Sequence, residues 1–121
     1  MSTGYVIFAH GSSVESANEA VRTVAAEMAR RGGFKLVVAA FLEGGQPDLP
    51  GALEALAKDV SRVVVVPYFL TLGLHLQRDL PKLIEQVKKA HPGLVIDVTP
   101  PLDQHPAMVE ALLDRARQAC P

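Results

Sequence analysis

The sequence predicts an α/β protein: a three-layer α/β/α sandwich on a four-stranded parallel sheet, a flavodoxin-like arrangement. Three observations predict it. Short continuous apolar runs alternate with amphipathic stretches four times along the chain. The runs are rich in β-branched residues and lack polar alternation, as strands buried on both faces do. A helix-length segment follows each run, which is the spacing of right-handed β-α-β crossovers.

The first strand is Tyr5-Val6-Ile7-Phe8-Ala9. From Ser13 the apolar period becomes helical, with Ala17, Val21, Val24 and Met28 read as the inward face and Glu15, Asn18, Glu19, Arg22 and Glu27 as the outward one. Gly32-Gly33 stops this helix. Leu36 to Leu42 is the second strand, and Asp48 with Pro50 opens a second helix through Leu53, Leu56 and Val60. Val63 to Val66 is the clearest strand. Leu76, Leu80, Leu83, Ile84 and Val87 mark the third helix, with Lys88 and Lys89 near its negative end. Leu94 to Val98 is the fourth strand, and the fourth helix is expected to turn Val109, Leu112, Leu113 and Ala116 inward and Glu110, Asp114, Arg115 and Arg117 outward.

Composition removes several function classes. Lys and Arg number 12 against 13 Asp and Glu, a net charge of −1, so the basic excess of a nucleic-acid-binding domain is missing. An apolar content of 49% argues against disorder. The single cysteine, Cys120, permits no intramolecular disulfide, suits a reducing compartment and is read as idle. No stretch approaches the ~20 apolar residues that cross a bilayer. The run from Tyr5 to Ala9 is also too short for a signal-peptide core and has no basic residue before it. The expectation is one domain over residues 1–121, soluble and cytoplasmic, with neither nucleic acid nor membrane as partner.

In an open parallel sheet, ligands bind beyond the carboxyl ends of the strands. After the first strand comes His10-Gly11-Ser12-Ser13, and after the second Glu43-Gly44-Gly45-Gln46-Pro47. The third is followed by Pro67 to His75 and the fourth by Pro100 to Pro106. Topology gathers these loops on one edge, so two imidazoles and a carboxylate can meet. Taken singly, His10 could end a strand and cap a helix, Glu43 could be a solvated acid and His75 a helix N-cap. On three strand ends facing one crevice, the functional reading prevails. It has two forms: imidazoles binding a first-row divalent metal, or a histidine accepting a proton beside a carboxylate that relays it. Helix N-termini after His10 and His75 suit ligand carboxylates, and Gly11, Gly44, Gly45 and Gly73 are expected to leave room for a flat ligand. His91 is read as a partner of a helix C-terminus, His105 as structural, and Tyr68 and Phe69 as loop packing. Dinucleotide, P-loop, nucleophile-elbow and zinc-protease motifs are all missing from the sequence.

The assembled residues resemble a known family. A-H-G-S at 9 to 12, A-F-L-E at 40 to 43 with Pro47 beyond, V-V-P-Y-F-L-T-L-G-L-H at 65 to 75, R-D-L-P at 78 to 81 and P-L-x-x-H-P at 101 to 106 occur in order. They look like the short CbiX-type sirohydrochlorin chelatases, relatives of ferrochelatase. The resemblance implies insertion of a divalent metal into sirohydrochlorin, a carboxylate-rich tetrapyrrole, with cobalt first and iron or nickel as alternatives. It implies no organic cofactor, because the metal is a substrate. By position, His10 would accept a proton and ligate the metal, His75 would be the second metal ligand, and Glu43 would remove protons or deliver metal. Gln46 and the loop Leu70, Thr71, Leu72, Gly73, Leu74 and His75 would line the tetrapyrrole site. Short members pair as homodimers. Where the family often carries arginine this chain has Ser13, and where it often reads P-L-G this chain has Pro101-Leu102-Asp103. A non-catalytic tetrapyrrole or metal carrier, and a chelatase for protoporphyrin, are the competing readings.

Overall fold

Strands without polar alternation need cover on both faces, and the computed structural model, which describes residues 2–119, provides it most fully for the first strand. Among the described residues the order is β1 (Thr3–Ala9), α1 (Glu15–Gly32), β2 (Val37–Phe41), α2 (Leu49–Leu56), β3 (Arg62–Pro67), α3 (Leu74–Ala90), β4 (Val95–Val98) and α4 (Pro106–Ala119). The strands form one parallel sheet in the order β2-β1-β3-β4. The three-layer architecture read from the sequence is therefore present. Cys120 lies outside the described residues.

One face of the sheet packs Val6, Phe8, Val63, Val65 and Ile96 against Leu49, Leu53 and Leu56 of α2 and Leu80, Ile84 and Val87 of α3. The other face packs Ile7, Ala9, Ala39 and Phe41 against Ala25 of α1, with Val21 and Met28 alongside. The helix ends follow the sequence signals. Asp48 caps α2, its Oδ1 accepting from the Gly51 N–H at 2.8 Å. Gly33 ends α1 in the left-handed region at φ 69°. His91 is the C-cap of α3, and its Nε2 lies 2.5 Å from Glu54 Oε2, so the partner of the helix end also joins α3 to α2. His105 Nδ1 accepts from the Ala107 N–H at 3.0 Å at the start of α4.

Two inward faces differ from expectation. On α1, Ala17 is exposed and Val24 is 42% exposed, whereas Asn18, read as outward, is only 1% exposed. The stripes 17-21-24-28 and 18-21-25-28 are adjacent on one helix, and the helix turns toward the second because the Asn18 amide finds three backbone partners there, described below. On α4, Val109, Leu112, Leu113 and Ala116 are all exposed, and the helix buries no residue. Leu102 N–H donates to Phe69 O at 2.9 Å and Asp103 N–H to Leu70 O at 2.8 Å, which ties the start of α4 to the β3–α3 loop.

Asp103 itself sits at φ 41°, a left-handed conformation where a side chain is strained. That explains why a glycine suits this place in a P-L-G loop and why an aspartate, among the more tolerant residues there, can stand in. Asp103→Gly is expected to leave stability unchanged or slightly raised. Asp103→Val should lose about 1–2 kcal/mol in a urea melt. Equal midpoints for the two variants would contradict the conformational argument.

Candidate active site

The β1–β2 ladder continues past the strands and thereby fixes the first two site residues. Leu42 N–H donates to Ala9 O at 2.9 Å and Glu43 N–H to His10 O at 3.0 Å, so the segments carrying His10 and Glu43 stay bonded to one another past the strand ends. His10 Nε2 lies 3.6 Å from Glu43 Oε1. The pair is open to water, with side chains 61% and 70% exposed. His10 Nδ1 lies 3.2 Å from Gly11 O. A carbonyl only accepts, so Nδ1 carries the proton and the Nε2 lone pair is free. That is the tautomer that can accept a proton or hold a metal, with Glu43 placed to stabilise the resulting charge.

Two glycines make this approach possible. Gly11 has φ 89°, and a Cβ there would meet Glu43 O at 1.7 Å. Gly44 has φ 72°, with Ser12 backbone atoms 2.8 to 3.1 Å from where its Cβ would lie. The expected role of these two in clearing room for a ligand is thus corrected: they let two backbone loops touch. Gly73, with nothing within 4 Å of its Cβ position, fits the original expectation.

Asn18 fastens the same loops from beneath. Its Oδ1 accepts from the Ser12 N–H at 2.9 Å, and its Nδ2 donates to Ser12 O at 2.8 Å and Gly44 O at 3.2 Å. Being buried and fully engaged, it repays its desolvation and holds the His10 and Glu43 loops in one register. Arg22 performs a similar service outside. It donates to Gln46 O at 3.1 Å, sits over the Phe41 ring at 5.3 Å, and its hydrogen bond to Glu15 holds that carboxyl below the usual carboxylate range.

The third residue, His75, lies in the first turn of α3, with Gly73 rather than His75 as N-cap. His10 and His75 line one cleft of about 410 Å³, together with Leu42, Phe69, Thr71, Gly73, Leu74, Leu76 and Asp79. Phe69 also packs on Phe8, with ring centroids 5.5 Å apart. Glu43, Gln46, Leu70 and Leu72 are not among the lining residues, Glu43 standing beside His10 outside the cleft. Gln46 instead receives Arg22 through its carbonyl, Leu70 is 60% exposed, and Leu72 belongs to a separate groove between α3 and β4. Asp79 was not singled out from the sequence. The available signal was its spacing: four residues after His75 on a helix is the same face one turn on.

Arg78 was missed likewise. Its guanidinium lies 3.2 Å from His75 Nδ1. Arginine has no lone pair to offer, so the imidazole Nδ1 is the acceptor and its proton sits on Nε2. In this arrangement neither nitrogen of His75 presents a free lone pair to the cleft. Among the described residues, no group of three or more His, Cys, Asp or Glu converges so as to hold a metal ion.

The comparisons with known proteins extend this picture. The CbiX family model matches residues 4–119. The chain belongs to the CbiX family. A sirohydrochlorin cobaltochelatase of Methanocaldococcus jannaschii is 31% identical over 71% of this chain and 61% of its own length. A chloroplastic sirohydrochlorin ferrochelatase of Arabidopsis thaliana is 28% identical over 93% of this chain and 50% of its own length. The chain thus matches only about half to three fifths of those two CbiX relatives. By contrast, the crystal structure of a cobalamin (vitamin B12) biosynthesis CbiX protein from Marinobacter aquaeolei superposes with a TM-score of 0.81 at 27% identity, covering 97% of this chain and 96% of that one. Among the described residues of this CbiX chain, no helix is long and apolar enough to cross a membrane.

Proposed function

We propose that this CbiX chain is a sirohydrochlorin chelatase, a metal-inserting lyase that places a divalent metal in the macrocycle, with cobalt as the first choice and iron or nickel as alternatives. The observation that carries the proposal is the cleft lined by both His10 and His75, with Glu43 at 3.6 Å from the His10 imidazole. Insertion balances as a divalent cation entering the ring while two pyrrole protons leave. His10 Nε2 accepts a proton as each N–H of the ring is lost, Glu43 stabilises the imidazolium, and its exposure lets the proton pass directly to water. The two imidazoles hold the incoming metal until ring nitrogens replace them. Thr71, Gly73 and Leu74 form the wall on which the macrocycle lies, and Leu70, Leu72 and Gln46 serve at its margin. The metal and the tetrapyrrole are both substrates, no organic cofactor takes part, and the chain acts as one unit over residues 1–121, cytoplasmic and paired as a homodimer.

A carrier is the less apt reading for a specific reason. Carriage needs a closed ligand set, whereas the cleft offers two imidazoles and one acid, Asp79, with Glu43 beside His10, a set suited to brief possession of a metal. The deciding experiment is an anaerobic absorbance time course of sirohydrochlorin with Co²⁺, Fe²⁺ or Ni²⁺, with and without protein. Acceleration above the blank supports the proposal, and the ranking of metals gives the preference. Equal rates with and without protein would discard it.

Arg78 adds a prediction. While it occupies His75 Nδ1, it excludes the metal both by taking the lone pair and by its positive charge. A tetrapyrrole carboxylate offers the guanidinium a better, bidentate partner and frees the imidazole. Arg78→Met is therefore expected to tighten Co²⁺ binding to the free protein, roughly three- to tenfold for an exposed interaction of this kind, while raising KM for sirohydrochlorin. Calorimetric titration with Co²⁺ checks the first half; unchanged or weaker binding would contradict it.

A further inference from the structure

Past the bond from the Glu43 N–H to His10 O, no backbone bond joins the two site loops among the described residues. Ser12 and Gly44 stand just beyond it, and one side chain grips both. Asn18 accepts from the Ser12 N–H and donates to the carbonyls of Ser12 and Gly44, adding side-chain rungs where the ladder ends. The sequence makes room for it. A Cβ at Gly45 would lie 2.9 Å from the Phe41 ring and 3.0 Å from Asn18 Nδ2, so this glycine clears the amide as Gly44 lets the loops touch. Arg22, one turn further along α1, also reaches the Glu43 loop, but it binds only the Gln46 carbonyl there and from the solvent side. Among the described residues, Asn18 is the side chain that hydrogen-bonds both loops.

Packing alone does not require an amide here. Position 18 lies on the buried stripe of α1 with Val21, Ala25 and Met28, where an apolar side chain would be buried without desolvating a polar group. What the amide supplies is direction, since each of its bonds is short only in one relative placement of the loops. We propose that Asn18 is a positioning residue for metal insertion, fixing the His10 loop against the Glu43 loop so that base and carboxylate stay paired through proton transfer. The role rests on the chelatase reading proposed above and adds to it a side chain that does not line the cleft. Because Asn18 acts through His10 and Glu43, its loss falls on kcat and leaves KM for sirohydrochlorin nearly as it was. A displacement of about 1 Å in such a pair costs roughly a hundredfold in rate.

The test is the isosteric change Asn18→Asp in the full chain, with Co²⁺ insertion kinetics at about pH 5.5 and about pH 8.5. A protonated carboxyl keeps an acceptor for the Ser12 N–H and a donor for one loop carbonyl, whereas an ionised one sets negative oxygen against both carbonyls. Burial raises a carboxyl above its ordinary range, so the side chain passes from the first form to the second as pH rises. The charged groups around the position are His10 and Glu43 on the loops and Glu15 and Arg22 on α1, Arg22 being held by Glu15 and Glu19. β1 and β2 present apolar Ile7, Ala9, Ala39 and Phe41 to this helix. Relative to the unmodified chain at the same pH and below the melting transition, kcat is expected within about threefold at the lower pH and roughly 10- to 100-fold down at the higher, with KM within about twofold at both. A merely structural asparagine would shift the melt with pH and leave turnover of the folded chain alone. A kcat ratio near one at both pH values, or a loss carried by KM, would therefore overturn the proposal. Where Asn18→Asp melts below the assay temperature at the higher pH, Asn18→Ala decides: kcat down about tenfold or more with KM held supports the role, and full kcat overturns it. An unmodified chain no faster than the blank would remove the chelatase reading and this role together, whereas full turnover in the variants would remove this role alone.

Discussion

His10→Ala is expected to slow metal insertion into sirohydrochlorin by roughly 10²–10⁴-fold, the range for loss of a positioned general base. That corresponds to about 3–5 kcal/mol of transition-state stabilisation. The loss should fall on chemistry, because the imidazole is exposed and its polar contacts among the described residues are to the Gly11 carbonyl and Glu43. Stability and the thermal midpoint are expected to stay within ordinary surface-substitution limits, about ±0.5 kcal/mol. Glu43→Gln gives the informative contrast. At 3.6 Å and in water, the carboxylate stabilises the imidazolium through a screened interaction, so its removal should cost less than removal of the base itself. The check is the anaerobic time course with matched protein concentrations. A His10→Ala protein that inserts metal near the unmodified rate would end the assignment of His10 as the base, and equal losses for the two variants would mean that the pair acts as a unit.

What the sequence disclosed depended on how locally each feature was determined. β1 and β3 were legible because a strand at the centre of a parallel sheet has no polar face to obscure it. The Asp48 cap and the Gly33 stop were legible because each is decided within one turn of helix. His10, Glu43 and His75 were legible as a group because topology alone brings strand ends together. Asn18 was not, since its value lies in carbonyls of two loops that periodicity cannot see, and adjacent stripes on α1 look equally apolar. α4 shows the same limit in another form. The spacing of Val109, Leu112 and Leu113 gives the apolar face of the helix but not what covers it. Gln46 shows it once more, because its place three residues after Glu43 in sequence does not put it among the residues lining the cleft.

The loops that carry His10 and Glu43 approach so closely that one methyl group should separate them. Gly11→Ala would place a Cβ 1.7 Å from Glu43 O and 3.1 Å from the Phe41 Cβ. Neither neighbour can swing aside, since one is backbone and the other belongs to a fully buried residue at the end of β2. The new residue would also be held at φ 89°, which an L side chain resists at a cost of about 1–2 kcal/mol. Relief of the overlap adds roughly 1–3 kcal/mol, as for other overpacked sites. The combined loss, about 2–5 kcal/mol, should lower Tm by ten degrees or so. The expected route of relaxation is parting of the loops, with loss of the bond from the Glu43 N–H to His10 O and of the Asn18 bridge to Gly44. Insertion should then fail even where the chain is folded, because the base and its carboxylate no longer face each other. Gly93→Ala is the matched control: its Cβ position has no neighbour within 4 Å and its φ is ordinary, so its melt should follow the unmodified protein. Superimposable melts for Gly11→Ala and Gly93→Ala would show that close loop contact is not what holds His10 against Glu43.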